Sequence, residues 1–231
     1  MTPVTFALRS KTSRHVAFLL CAALRRTLAI ALLCLSVVSG FAADIVDIKT
    51  PILLSHFSQK IKEPLYVSYA LYKGGGDCSR SGMSFKNDHP EIKTASAKDY
   101  SHSGYDIGHM ANAEDFAGDC KKEKMTFVFY NALPQTPNLN RGIWKRIETN
   151  ARKWSQKNHL LIICGGYTFQ KKGLLYVPTM CFKVVQDSST GKILFCGIFT
   201  NTSHATEKDI TEPDLEKILK YKLPIRIVRT R

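Results

Sequence analysis

Apolar positions along this chain recur with a period of two in several short stretches and with a helical period in others. Pro64 to Lys73 alternates like a strand, Tyr105 to Met110 reads as a short strand, and Met125 to Leu133 reads as a stronger one centred on Phe127, Val128, Phe129 and Tyr130. Phe85 to His102, between them, is polar and loop-like. In Leu139 to Asn158 the residues Ile143, Trp144, Ile147, Ala151 and Trp154 recur at helical spacing, with Arg141, Lys145, Arg146, Arg152 and Lys153 on other faces, which predicts a helix. His159 to Gly165 adds a strand. Tyr176 to Gln186 and Lys192 to Thr200 predict a hairpin closed by the turn-rich Asp187-Ser188-Ser189-Thr190-Gly191. Glu212 to Leu219 predicts a short helix with Thr211 as cap and Pro213 in its first turn. Strands and helices do not alternate strictly, so an α+β fold is expected rather than a doubly wound sheet.

No repeat or long linker interrupts residues 44–231, and the one glycine cluster, Gly74 to Gly76, lies between strand-like stretches, so one domain is expected there. Residues 1–43 contain no acidic residue. After Arg25 and Arg26 they run apolar from Thr27 to Val38 and end in Ser39-Gly40-Phe41-Ala42-Ala43, the pattern of a signal peptide cleaved near Ala42 or Ala43. The alternative, a membrane anchor, is disfavoured because the apolar run falls short of the roughly 20 residues that a spanning helix needs. The mature protein is therefore expected to be secreted or periplasmic and free of membrane.

Export changes the reading of the cysteines. Five follow the leader, at Cys78, Cys120, Cys164, Cys181 and Cys196, and none has the Cys-x-x-Cys spacing of a structural zinc site. An oxidising compartment permits disulfides. If Asp187 faces Thr190 across the hairpin turn, Cys181 faces Cys196, which makes that pair the first candidate. Cys78 with Cys120 is the second, and five buried thiols are the alternative.

The composition, 44% hydrophobic and 23% charged, excludes collagen-like, low-complexity and wholly disordered chains. Lys and Arg number 33 against 19 Asp and Glu. Five of those cations lie in the leader, leaving 28 against 19 after it, so basicity survives cleavage. Such a surface favours polyanionic partners: nucleic acid, anionic lipid or acidic glycan.

Three segments narrow this choice: Gly104-Tyr105-Asp106-Ile107-Gly108-His109-Met110, Asn131-Ala132-Leu133-Pro134-Gln135, and Leu139-Asn140-Arg141-Gly142-Ile143-Trp144-Lys145-Arg146-Ile147-Glu148. On an ideal helix Asn140 and Glu148, eight residues apart, point within about 80 degrees of each other. An amide oxygen and a carboxylate on one broad side suit a hydrated hard cation such as Mg²⁺, which keeps most of its waters. Taken together, the three segments resemble the DNA/RNA non-specific endonucleases, the endonuclease G-like group of ββα-metal (His-Me finger) nucleases, over about Tyr66 to Gly166. Their signature is Asp-Arg-Gly-His, then Asn-x-x-Pro-Gln, then Leu-Asn-x-Gly-x-Trp with a following Glu.

The resemblance implies a mostly antiparallel central sheet flanked by helices, and a metal-dependent nuclease that cuts DNA and RNA to leave a 5′-phosphate and a 3′-hydroxyl. It implies His109 as general base, Asn140 as the direct ligand of one Mg²⁺ (Mn²⁺ would also fit), and Glu148 holding a water of that ion. Asn131 would help to position the site. Arg80 would contact the scissile phosphate, with Arg141 and Lys145 along the path of the nucleic acid. Asp106 is read as structural, tying down its own loop. This chain departs from the pattern at Ile107, where the family has arginine, and at Asn112, where proline is usual. The first change removes a cation from the expected site; the second is expected to affect only the loop after the base. Because His109, Asn140 and Glu148 are retained, an active nuclease is expected. The alternatives are a nucleic-acid-binding protein of the same fold weakened in catalysis through Ile107, and a surface protein that binds anionic lipid or glycan by charge. The oligomeric state, monomer or homodimer, is left open.

Overall fold

The structure, a computed structural model, describes residues 44–225; the predicted leader lies outside the described residues. A seven-stranded antiparallel sheet organises them, in the order β1 (Ile45–Lys49), β2 (Leu54–Ser58), β3 (Glu63–Leu71), β6 (Leu160–Lys172), β7 (Leu175–Asp187), β8 (Ile193–Thr200) and β9 (Glu207–Asp209). A separate antiparallel pair, β4 (Asp106–His109) and β5 (Ala132–Gln135), is inserted between β3 and β6. The helices are α1 (Ala97–Tyr100), α2 (Cys120–Met125), α3 (Lys145–Ser155) and α4 (Glu212–Leu219).

Alternation along β7 assigns the two faces of the large sheet. Cys181 and Val185 pack with Trp144, Ile147 and Ala151 in the main core, beneath α3. Phe182 and Val184 turn the other way, to Leu215 and Leu219 of α4. The sheet thus carries one helix on each face, each burying the apolar stripe that its sequence predicts. The Thr211 hydroxyl caps α4 by accepting from the Asp214 N–H, and Pro213 stands in its first turn.

Two sequence expectations need correction. Met125 to Leu133 is not a continuous strand: Met125 ends α2, Phe129–Asn131 form a 3-10 turn, and only then does β5 begin. The run is apolar because consecutive residues enter different clusters, Val128 and Tyr130 the main core and Phe129 a smaller one with Ala95, Tyr100, Leu175 and Val177. A stretch buried on every side has no alternation to report, so it is easily read as a strand.

The second correction concerns the disulfide. Asp187 pairs with Lys192 rather than Thr190, since its N–H donates to the Lys192 carbonyl at 2.9 Å, and a bulge between Val185 and Gln186 shifts the ladder further. Cys181 therefore lies opposite Phe199, and Cys196 opposite Val184. The two thiols also point to opposite faces of the sheet and are free, as is Cys164. The pair that forms is Cys78–Cys120, with Cα atoms 5.5 Å apart.

Candidate active site

His109 ends β4, and three contacts fix the backbone around it. The indole N–H of Trp144, fully buried, donates to the His109 carbonyl at 3.3 Å. The next residue's N–H, that of Met110, donates to the Asn131 carbonyl at 2.8 Å. The Asn131 side chain then clasps the following peptide, its Oδ1 accepting from Ala111 N at 2.8 Å and its Nδ2 donating to the carbonyls of Ala111 and Thr126, both at 2.9 Å. Asn131 is wholly buried and does not line the pocket described below, so it acts on the site through the loop that follows the histidine. The glycine of the motif also has a local cause. A Cβ at Gly108 would stand 2.1 Å from Oε1 of the buried Gln135 side chain, which fills the space that a larger residue would need.

Asn140 and Glu148 come from the helical segment, which is not one regular helix. Leu139–Trp144 form a wide π-type turn with a non-helical residue at Gly142, and α3 starts at Lys145. The kink at Gly142 breaks the regular helical rotation between Asn140 and Glu148, and both side chains nevertheless line one pocket. Asp106 is more than a tie within its own loop. Its Oδ2 accepts from Asn140 Nδ2 at 2.9 Å and from Arg141 Nε at 2.8 Å, and its Oδ1 accepts from Arg141 Nη2 at 2.6 Å. With its amide nitrogen committed to Asp106, Asn140 is oriented with its oxygen free of that contact.

These elements enclose a pocket of about 420 Å³ lined by His109, Asn140, Glu148 and Arg80, together with Ile107, Asn112, Ala113, Glu114, Arg141, Lys145 and Arg152. All the charged and imidazole residues expected from the sequence therefore meet in one place. Arg80 arrives on an irregular segment held by the Cys78–Cys120 bond and by its own ion pairs, Nε to Glu123 at 2.8 Å and Nη2 to Glu114 at 2.6 Å. Ile107 lines the pocket and packs on the cluster of Phe129, Leu175 and Val177, so an apolar patch stands where the family carries a guanidinium.

The electrostatics follow from burial. The His109 ring lies among Phe85 and Phe127, with centroids at 4.5 and 4.8 Å, and its Nε2 is buried without a hydrogen-bond partner. Burial, and then the Arg80 cation, lower its pKa to about 3, so the imidazole is neutral at physiological pH. Burial pushes the Glu148 carboxyl up, opposed by the Lys183 ammonium and by a side-chain hydrogen bond with Asn112. Burial also raises Asp106, but the hydrogen bonds from Arg141 and Asn140 outweigh it and hold that carboxyl below its ordinary value. Sequence reasoning missed the contact between Asn112 and Glu148, and it missed Lys183, whose place in a strand resembles that of any alternating polar residue.

The donors suit a hard, hydrated cation. Asn140 offers an amide oxygen and Glu148 a carboxylate, while among the described residues no group of three His, Cys, Asp or Glu could by itself cage an ion. An ion held here would keep most of its waters, as Mg²⁺ does.

Comparisons with known proteins identify the family. The family model for DNA/RNA non-specific endonucleases matches residues 40–230. A nuclease of Nostoc sp. is 32% identical over 120 residues, 50% of this chain and 44% of that protein. Mitochondrial endonuclease G of Bos taurus is 30% identical over 138 residues, 51% of this chain and 46% of that protein. The chain thus covers less than half the length of either relative. A chain in the crystal structure of an EndoG/EndoGI complex shares the fold, with a TM-score of 0.64 at 22% identity over 75% of this chain and 83% of that one. With the family model spanning nearly all of the chain beyond the predicted leader, the chain belongs to the DNA/RNA non-specific endonuclease family.

Proposed function

We propose that this protein is an exported, metal-dependent endonuclease that hydrolyses phosphodiester bonds in both DNA and RNA, with His109 as general base. The observation that carries this reading is the convergence of His109, Asn140, Glu148 and Arg80, from separate parts of the chain, on one pocket. A neutral imidazole held in an apolar wall is suited to take a proton from water. Nε2 is sealed from solvent, so Nδ1 is the nitrogen that would receive it. Arg80, Lys145 and Arg141 bring positive charge to the phosphate, and contacts of that kind are indifferent to base sequence. Asn140 and Glu148 would hold Mg²⁺ or Mn²⁺, which when bound neutralises charge on the phosphate and the departing oxygen. Asp106 keeps the Asn140 oxygen available for that ion. Export is supported by the leader pattern and by the Cys78–Cys120 bond, which belongs in an oxidising compartment.

Ile107 in the pocket wall favours a second reading, a nucleic-acid-binding protein of weakened catalysis. Incubating the purified protein with plasmid DNA and with RNA, in Mg²⁺ and in EDTA, separates the two. Degradation of both substrates in Mg²⁺ that stops in EDTA supports the nuclease; a salt-sensitive gel shift without cleavage supports the second reading. Absence of both refutes the pair.

A further inference from the structure

Lys183 stands between Cys181 and Val185 in the row of β7 that faces the main core, with only 1% of it exposed. Its Nζ lies 4.0 Å from the centroid of the Trp144 ring and 3.7 Å from Glu148 Oε1. Lysine is almost never buried this fully unless it is paired. Stability alone does not account for it, because replacing a buried ion pair by apolar residues is often neutral or stabilising. The charge does serve Glu148. That carboxylate is itself 5% exposed, and it lines the pocket from α3 while Lys183 approaches from the sheet beneath. Lys183 engages Oε1 from behind, and Asn112 stands beside the same carboxylate on the loop after His109.

We propose that Lys183 is a positioning residue of the metal centre: its buried Nζ, 3.7 Å from Glu148 Oε1, keeps that carboxylate aimed at the pocket, so affinity for the divalent ion depends on a residue outside the pocket wall. This rests on the reading above, in which Asn140 and Glu148 hold the ion. Outer partners of metal-binding groups typically change affinity by about 10- to 100-fold when removed.

The test is calorimetric titration of Mn²⁺ into the metal-free protein, without substrate, for the parent, Lys183→Met, Glu148→Gln and the double variant. The expected result is a Kd raised about 10-fold or more by Lys183→Met, and no further effect of Lys183→Met once Glu148 is Gln. A Kd equal to the parent's, or a loss of the same size in the Glu148→Gln background, overturns the proposal. A parent that binds no Mn²⁺, or binding that Glu148→Gln leaves unchanged, refutes the metal-site reading itself and this inference with it. Lys183→Gln gives the same comparison if the Met variant does not fold.

Discussion

Replacing Asp106 by alanine should raise the concentration of Mg²⁺ that the enzyme requires while leaving its maximal rate largely recoverable. The carboxylate accepts the Asn140 amide at 2.9 Å and two hydrogen bonds from Arg141 at 2.8 and 2.6 Å. Without it the amide can turn over, and in one of its two orientations a nitrogen, which cannot bind a cation, faces the ion. Hydrogen bonds to charged groups contribute about 1.5–3 kcal/mol. At about 1.4 kcal/mol per factor of ten, the lower figure corresponds to roughly 10-fold in ion affinity. The lower figure applies because the Asp106 side chain is 16% exposed and water would replace part of the bond. The assay is the Mg²⁺ concentration giving half-maximal kcat/KM on plasmid DNA. An unchanged Mg²⁺ requirement, or a lost rate that saturating Mg²⁺ fails to restore, would refute the reasoning. Because the Asp106 carboxyl is held below its ordinary value, its contribution should persist down to the usual carboxylate range and disappear only as pH falls through that lowered value.

Three further outcomes are expected. Ile107→Arg returns a cation to the pocket wall and should increase turnover; a folded variant with equal or lower kcat contradicts the account of that position. Reducing the Cys78–Cys120 bond, or replacing both residues by serine, loosens the segment that delivers Arg80 and should raise KM for nucleic acid, a result checked against circular dichroism to exclude global unfolding. With His109 held neutral down to about pH 3, the acid limb of kcat/KM should lie well below 6.5, and Arg80→Gln should move it upward; a limb at or above 6.5 in the parent contradicts the buried-base reading. The same shift makes folding stability fall as pH drops from about 6.5 towards 3, since the unfolded imidazole takes up the proton first.

Local rules made much of this legible before any coordinates. Thr211 and Pro213 marked the start of α4, and the alternating residues 64–73 marked β3. The first and third motifs named residues that meet in the pocket, His109 from one and Asn140, Arg141, Lys145 and Glu148 from the other. What escaped was governed by long-range contacts. The disulfide expectation failed at the turn, where Asp187 pairs with Lys192 rather than Thr190, and a bulge at Val185 and Gln186 shifts the ladder further. Asn131 was expected to help position the site, but which groups it holds was not legible: its side chain bonds the backbone of Ala111 and Thr126. Asp106 looked local but reaches 34 residues along the chain to Asn140, and Asn112, a departure from the family pattern, shares the pocket wall with Glu148. Sequence periodicity shows which face a residue occupies, not which side chain comes to meet it from another element.

The proposed mechanism is spatial: one divalent ion would sit at Asn140, in the same pocket as His109. Anomalous diffraction from crystals soaked in Mn²⁺ measures it directly. The account predicts one peak in the pocket, about 2.1 Å from Asn140 Oδ1, with water between the ion and Glu148 and with the His109 ring facing the same space. A soaked crystal with no peak in that pocket, or with its Mn²⁺ bound away from Asn140, would contradict it.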